Sequence, residues 1–319
     1  MSICVYTLHI QFGGRMMLVP SQNFEYYSTT KGICLHAACE DAIEKYLIPN
    51  YKGKIQLILT SPPFPLKRAK KYGNKNGEEY LTWLCGIGNQ LKPLLTENGS
   101  IVIEIGNAWN ANEPTYSTLP IKTLITFQET CNLHLCQEFI YYNPARLPGP
   151  IEWVNKRRIR VKDSFTYIWW LSNTSNPYAD NRNVKELYSK QMKKLLASGK
   201  YNSGKRPSEH SISKSAFSID NGGAIPSNVI IASNTQSHDP YLKACKIHNL
   251  DIHPARMASA IPEFFIKFLT QENDIVFDCF SGSNTTGSIA EKLNRHWIST
   301  ELDKQYYEGS KYRFSEVFD

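Results

Sequence analysis

Apolar residues follow two spacings along this chain, and the two spacings alternate. Short, largely apolar runs predict strands at Gly32–His36, Ile55–Leu59, Ser100–Gly106, Glu138–Tyr142, Phe165–Leu171, Asp274–Asp278 and Trp297–Glu301. Apolar positions one helical turn apart predict helices at about 39–47, 78–95, 120–131, 262–269 and 285–293. Strands and helices in alternation are typical of a wound α/β sheet, which is the fold class that we predict.

The strand predicted at Ile55–Leu59 runs into Thr60-Ser61-Pro62-Pro63-Phe64. Two prolines end the strand, because proline has no N–H for the sheet ladder and a fixed φ. We therefore expect the Ser61 hydroxyl, the Pro62 carbonyl and the Phe64 ring at the carboxyl edge of the sheet, where open α/β folds bind ligands. Two acceptors beside an aromatic face suit a flat ring with an exocyclic amine, as in an extruded nucleobase. A plain turn is the alternative for this stretch taken alone.

A second stretch of small residues follows the predicted strand that ends at Asp278. The segment Cys279–Gly287 is rich in Gly, Ser and Thr and precedes a predicted helix, which would let a ligand approach the backbone. It lacks the Lys-Ser/Thr pair of a phosphate loop and the GxGxxG spacing of a dinucleotide site. Glu301 closes the next strand, where an acidic side chain holds a ribose diol in this architecture. A turn without a ligand is the alternative.

Charge and cysteine content limit the function further. The 36 Lys and Arg against 29 Asp and Glu give a net charge of +7, which mildly favours a polyanionic partner. The eight cysteines contain no CxxC pair, which indicates reduced thiols. Cys245, His248 and His253 lack a fourth ligand, so no metal site is predicted. Without an apolar run of about 18 residues or an export signal, we expect a cytoplasmic protein and no membrane partner.

Positive charge concentrates in the middle of the chain. Arg158, Arg160 and Lys162 occupy alternate positions, so on a strand they would form one cationic face for phosphate. A solvated edge strand is the alternative. Lys67 and Arg68 belong to a basic loop after the proline pair, and residues 173–228 are polar and lysine-rich. That long segment is interpreted as a phosphate-contacting module or as a solvated insertion.

Together these motifs resemble the β class of amino-methylating DNA methyltransferases, and within it the N4-cytosine enzymes. The resemblance rests on SPPF, on the turn Asp278–Gly287, on Glu301 and on the block Asn143–Lys162. It extends from about Phe24 and includes RPSEHSISKSAFSIDNGGAIPSN and HPARMASAIPEFF. In that class the catalytic half precedes the cofactor half, which is a permuted order of the Rossmann-like methyltransferase fold.

The resemblance implies roles for segments and residues. It implies an arm (1–28), a catalytic half (29–149), a DNA-recognition region (150–242) and a cofactor half (243–319). The catalytic residues would be Ser61, Pro62, Pro63 and Phe64. The S-adenosylmethionine pocket would be formed by Asp278, Phe280, Gly282, Ser283, Asn284, Thr285 and Glu301, with Phe264 near its methionine end. The DNA-binding residues would be Arg158, Arg160, Lys162, Lys67 and Arg68.

Two departures from the family pattern stand out. Relatives usually have Gly-Asp after the first strand, with the acid on the cofactor adenine, whereas this chain has Ala37-Ala38-Cys39-Glu40-Asp41. Whether Glu40, Asp41 or neither replaces that acid stays open. Cys279-Phe280-Ser281 stands where relatives often have a glycine before Gly282. Because serine is also small, we expect this difference to have little effect.

The resemblance implies an enzyme that methylates N4 of a flipped cytosine in double-stranded DNA, as the modification enzyme of a restriction-modification system. Adenine N6 methylation on the same scaffold is the nearest alternative. An inactive DNA-binding relative and a protein or RNA methyltransferase are the others. The recognition sequence is not predicted, because base readout depends on side-chain placement. A homodimer stays open as well.

Overall fold

The computed structural model describes residues 9–12, 15–18, 24–64, 75, 77–199, 203–205, 207–209, 211–213, 219–234 and 239–314. They form two compact units. One consists of the described parts of 1–179 and 228–319, and the other of the described parts of 180–227.

The strands are β1 (His9–Phe12), β2 (Arg15–Leu18), β3 (Glu25–Ser28), β4 (Gly32–His36), β5 (Ile55–Thr60), β6 (Leu95–Gly106), β7 (His134–Tyr142), β8 (Phe165–Ser172), β9 (Gly204–Lys205), β10 (Ser211–Ile212), β11 (Val229–Ile231), β12 (Ile275–Asp278) and β13 (His296–Glu301). The α-helices are α1 (Cys39–Ala42), α2 (Ile48–Tyr51), α3 (Gly77–Leu91), α4 (Leu119–Thr130), α5 (Lys190–Ser198), α6 (Pro240–Ile247), α7 (Ala260–Leu269), α8 (Thr285–Lys292) and α9 (Lys304–Ser310). Short π- and 3₁₀-helical turns lie at Ile43–Leu47, Lys92–Leu94, Glu152–Lys156, Asn181–Val184 and Lys311–Arg313.

A nine-stranded sheet is the centre of the larger unit, with the order β11-β7-β8-β6-β5-β12-β13-β4-β3. Its strands are parallel except β3 and β8, which pair antiparallel to their neighbours. The last two strands along the chain, β12 and β13, lie between β5 and β4. The predicted α/β sheet with a permuted half order is therefore confirmed.

The middle of the sheet is buried on both faces. Every residue of β5 and of β12 is buried, as expected for parallel strands covered by helices on each side. A core of side chains from α1, α3, α4 and the sheet fills one face. Helices α7 and α8 pack on strands β5, β6, β12 and β13. This packing holds the carboxyl ends of β5, β12 and β13 in fixed relation.

Two expectations about segment boundaries differ from the structure. The sheet begins within the segment assigned to an arm, because β3 pairs with β4 from Glu25↔His36 to Ser28↔Ile33. The smaller unit lies within 180–227, whereas the predicted recognition region was 150–242. Strands β8 and β11 belong to that region in sequence but to the large sheet in space. Whether the segment reads DNA stays a prediction.

The strand predicted around Arg158, Arg160 and Lys162 is wrong. Arg158 has φ of 55°, a left-handed conformation that ends any alternation of faces. The segment is instead fastened to its surroundings, since Arg160 Nε donates to the Pro114 carbonyl (3.0 Å) and Lys162 Nζ to the Pro144 carbonyl (2.9 Å). The three cations therefore lie on an irregular loop rather than on one strand face.

Candidate active site

The Ser61–Phe64 motif follows directly after β5. Because β5 and β6 pair in register at Thr60↔Ile103, Ser61 lies level with Glu104 on the next strand. The Ser61 hydroxyl donates to the Glu104 carbonyl at 3.4 Å. Pro62 is buried, and Ser61 and Phe64 are partly exposed. The hydroxyl proton is thus directed into the protein, which leaves the oxygen lone pairs for a donor in the cavity.

Phe64 lies against the end of β6, where Gly106 gives it space. A Cβ added at Gly106 would lie 2.4 Å from Phe64 Cε2, closer than real contacts allow. Any side chain at position 106 would therefore displace the ring. The sequence reads Gly106 only as the end of a strand, whereas the structure gives it a role in placing Phe64.

Asp278, the last residue of β12, connects the two motifs. Its buried carboxylate accepts hydrogen bonds from Thr60 Oγ1 (2.8 Å) and Thr286 Oγ1 (2.7 Å), and from the Phe280 N–H (3.1 Å). Thr60 immediately precedes Ser61, and Phe280 and Thr286 belong to the turn and the helix of the other motif. Burial raises the pKa of Asp278 to about 6, although the three donors oppose this shift.

The turn after β12 is shaped by two residues with positive φ. Gly282 has φ of 52° and Asn284 has φ of 53°. Asn284 is fully buried, and its Oδ1 accepts from the Gly287 N–H (3.1 Å) and from Ser299 Oγ (2.8 Å). Asn284 is therefore the N-cap of α8. Its predicted place in the cofactor pocket stays a prediction, and the first turn of the helix uses its side chain.

Glu301 closes β13 beside the same turn. Its carboxylate accepts from the Gly282 N–H (2.7 Å) and from the Asp303 N–H (2.8 Å). Burial raises the pKa of Glu301 to about 7 against these two donors. Each oxygen holds one backbone donor and keeps a lone pair for another.

One cavity of about 950 Å³ joins these groups. It is lined by the predicted site residues Ser61, Pro62, Pro63, Phe64, Asp278, Phe280, Gly282, Ser283, Thr285 and Glu301. This volume is at the upper end of the range for small-molecule sites, about 300–1,000 Å³. The cavity therefore has the size of a large small-molecule site, and both motifs line it.

Some predicted site residues do not line this cavity. Phe264 packs on α7 against Phe139 and Phe268, with ring centroids 5.7 Å from each, and its place near the cofactor stays a prediction. Arg158, Arg160 and Lys162 are also absent from the lining. Lys67 and Arg68 lie outside the described residues.

Glu40 and Asp41 lie in different surroundings. Glu40 lines the cavity and accepts from Trp83 Nε1 at 2.9 Å, whereas Asp41 points to solvent and pairs with Lys45 at 2.5 Å. Burial opposes ionisation of Glu40, but bonds from its own N–H, Cys39 and Trp83 hold its pKa below the usual value. Glu40 is thus the carboxylate on the cavity side of the β4–α1 junction.

Sequence reasoning missed Glu104, and it considered His253 only as a metal ligand and as part of a quoted motif. Glu104 is 6% exposed and accepts from Thr166 Oγ1 at 2.9 Å, and burial raises its pKa to about 7. In the sequence, Glu104 is one residue of the predicted strand Ser100–Gly106. An acidic residue inside such an apolar run could have indicated a functional role. The His253 ring lies over Gly282, where an added Cβ would be 3.0 Å from Nε2. Both residues line the cavity.

Neither a metal site nor a membrane span is found in the described part of the chain. No group of three or more His, Cys, Asp or Glu there could hold a metal ion. None of the helices described is long and apolar enough to cross a bilayer.

Known proteins share this sequence and fold. The DNA methylase family matches residues 55–312. The type II methyltransferase M.PvuII of Proteus hauseri is 44% identical over 262 residues, which is 82% of this chain and 78% of that protein. M.BglII of Bacillus subtilis is 25% identical over 256 residues, which is 80% of this chain and 62% of that protein.

Solved structures agree with these sequence matches. PvuII DNA methyltransferase (cytosine-N4-specific) superposes with a TM-score of 0.72 at 35% identity, over 90% of this chain and 88% of that one. M1.HpyAVI in complex with SAM gives a TM-score of 0.53 at 21% identity over 88% and 98% of the two chains, which shows a common fold. The family match spans the strand end at Thr60, the turn at Asp278 and Glu301 together, and this chain therefore belongs to the DNA methylase family.

Proposed function

We propose that this enzyme transfers a methyl group from S-adenosylmethionine to the exocyclic N4 of a cytosine flipped out of double-stranded DNA. It would act in the cytoplasm as the modification enzyme of a restriction-modification system. The observation that carries the proposal is the Thr60–Asp278 hydrogen bond, because it connects the Ser61–Phe64 motif to the Gly282 turn and both line one cavity.

The residues around Glu301 and Phe280 fit S-adenosylmethionine. This donor supplies a methyl group on an electrophilic sulfonium, and its nucleoside brings ribose hydroxyls and an adenine amine that need acceptors. Glu301 has lone pairs for the hydroxyls. Phe280 and Trp83, with ring centroids 5.6 Å apart, form an apolar wall beside Glu40, which offers its carboxylate to the amine.

The Ser61–Phe64 backbone offers acceptors and few donors. Pro62 and Pro63 have no N–H, and the Ser61 proton already points to the Glu104 carbonyl. An exocyclic amine with two N–H bonds can therefore donate to Ser61 Oγ and to the Pro62 carbonyl. Accepting both bonds favours a more tetrahedral nitrogen with its lone pair available, and Phe64 would stack on the ring. Holding the amine in line with the methyl group supplies much of the rate.

A covalent intermediate on cysteine is not needed. Cys279 is the thiol next to the turn, and it is 2% exposed. Burial raises its pKa far above neutrality, so it carries no thiolate. The amine itself is the nucleophile in this proposal.

Two features support cytosine over adenine. The motif begins with serine, and the relative with a TM-score of 0.72 is named as cytosine-N4-specific. Adenine N6 is the competing target, since its amine has the same geometry.

DNA contacts are proposed for the loop around Arg158 and for the smaller unit. Arg158 is exposed, and α5 exposes Lys190, Lys193 and Lys194, which recur at the spacing of one helix face. Phosphate contacts of this kind set register and add salt dependence without reading sequence.

A homodimer is a further proposal, since α4 exposes Ile121 and Ile125 one turn apart (53% and 50%). Sedimentation that gives only monomer at working concentration would contradict it.

Ser61→Ala should lower turnover by about 10²-fold or more while changing S-adenosylmethionine affinity little, because the lost acceptor acts on the amine. Methyl transfer to plasmid DNA, followed by mass analysis of the nucleosides, measures both turnover and product. N4-methylcytosine is expected from the wild-type enzyme. The exposed Ser175→Ala is the control and should behave as wild type.

Two outcomes would count against this assignment. N6-methyladenine as the only modified base would reject the cytosine target. Equal losses of turnover and cofactor affinity in Ser61→Ala would remove Ser61 from contact with the amine.

Glu301→Gln should weaken S-adenosylmethionine binding by about 1.5–3 kcal/mol, because one carboxylate oxygen is replaced by an NH₂ that cannot accept. The pKa of Glu301 is raised to about 7, so its acceptor form is lost as the pH falls through that value. Wild-type affinity should therefore fall as the pH is lowered from about 8 to 6, and the variant should lose the part of that dependence that Glu301 contributes, because Glu104 and Asp278 still titrate in this range.

Calorimetry on the DNA-free enzyme measures this, with Glu308→Gln as the control. Glu308 is also a carboxylate near the C-terminus, but it pairs with Lys304 and Lys311. Unchanged affinity in a folded Glu301→Gln variant would refute the ribose assignment.

Arg158→Ala should weaken binding to cognate and unrelated duplexes alike, and should lower the slope of log affinity against log salt by about one unit. Lys122→Ala on α4, an exposed cation outside the loop, is the matched control. Arg158 would instead read a base edge if its variant kept the wild-type salt slope but methylated a relaxed set of sites.

A further inference from the structure

Leu147 is an exposed aliphatic side chain on the loop that follows β7. It is 84% exposed, although exposing a leucine side chain to water is unfavourable. A single exposed leucine is common on protein surfaces and needs no explanation by itself. The position of Leu147 is what distinguishes it, because it lines the cavity that contains Ser61 and Phe64.

The loop that carries Leu147 is fastened on both sides of it. Lys162 Nζ donates to the carbonyls of Pro144 (2.9 Å) and Arg146 (3.3 Å). Arg146 donates through its guanidinium to the Phe165 carbonyl (3.1 Å), and the Asp163 N–H donates to the Gly149 carbonyl (3.0 Å). Prolines at 144, 148 and 150 further restrict φ. Leu147 is thus held out on a backbone with little freedom.

Other exposed aliphatic side chains of this region do not share its position. Ile151, Ile159 and Val161 are 62%, 42% and 85% exposed, and none of them lines the cavity. Leu302 is 64% exposed and does line the cavity, but it follows Glu301 on the cofactor side. Within the described residues, Leu147 is therefore the exposed aliphatic group on the catalytic side of the opening.

Positive charge around the loop identifies what would cover Leu147. Arg157, Arg158 and Arg160 are exposed on the segment that follows, and Arg146 precedes Leu147. An apolar group with exposed cations nearby in sequence suits a DNA duplex, which offers phosphates on its outside and a base stack inside. Aliphatic side chains enter base steps in other DNA-binding proteins and partly unstack them.

We propose that Leu147 enters the base stack at the position that the target base leaves when it turns into the cavity. This inference rests on the proposed function, because it assigns Leu147 to the flipping step of that reaction. Turning a base out costs unstacking and unpairing free energy. Burying Leu147 in the vacated space offsets part of that cost and slows the return of the base.

The test compares two duplexes that carry the site methylated by the wild-type enzyme in plasmid DNA. One duplex is fully paired. The other has an abasic position opposite the target base, so that the target is already unpaired. Single-turnover methyl transfer is measured with the full-length chain for wild type, Leu147→Ala, Leu147→Met and the control Ile247→Ala, whose side chain is 77% exposed and does not line the cavity. Calorimetry with S-adenosylmethionine checks that each variant is folded.

Leu147→Ala should lose at least about tenfold in rate on the paired duplex and stay within about threefold of wild type on the abasic duplex, because flipping is then largely done. Leu147→Met should recover most of the rate, and Ile247→Ala should match wild type on both duplexes. A fluorescent base analogue at the target should brighten with wild type and not with Leu147→Ala.

Equal loss on the two duplexes would overturn the proposal, and so would wild-type rates for Leu147→Ala on the paired duplex. The proposed function fails separately, if the wild-type product is not N4-methylcytosine. In that case the same pair of duplexes, built around the base that is methylated, still decides the role of Leu147.

Discussion

The hydrogen bond between Thr60 and Asp278 joins two motifs that are far apart in sequence. Strands β5 and β12 are parallel neighbours, paired at Leu57↔Val276 and Ile58↔Phe277, and they end at the same edge of the sheet. Their pairing brings the motifs to one edge, and the buried Asp278 carboxylate then fixes their separation through Thr60 on one side and Thr286 on the other. An unpaired carboxylate at such depth would be costly, so the three donors and the acid depend on one another.

The cavity beside the Thr60–Asp278 bond is lined by acidic side chains whose ionisation is disfavoured by burial. Burial raises the pKa values of Glu104 and Glu301 to about 7 and that of Asp278 to about 6. A cationic donor such as a sulfonium favours the ionised forms of nearby acids, because opposite charges attract strongly where water is excluded. Cofactor binding and ionisation of these acids should therefore support each other.

The sequence predicted the parts of the site that depend on local pattern. The proline pair ends β5, and the small residues after Asp278 form a turn, because both effects act over a few residues. The packing of Phe264 was not predicted, because it depends on Phe139 of a distant strand. The bonds that Asn284 accepts from the start of α8 and from Ser299 depend on tertiary structure in the same way. The alternation at Arg158 failed because a strand needs neighbours, and this segment bonds to loop carbonyls instead.

Thr60→Val tests the central claim most directly, because it removes one hydroxyl at nearly constant volume and Thr60 does not line the cavity. The measurement is the single-turnover rate of methyl transfer at saturating cofactor and DNA, alongside calorimetry with S-adenosylmethionine. If the Thr60–Asp278 bond positions Ser61 against the cofactor turn, the rate should fall by about tenfold or more while cofactor affinity changes less than about threefold. An unchanged rate, or a loss found wholly in cofactor affinity, would contradict the account.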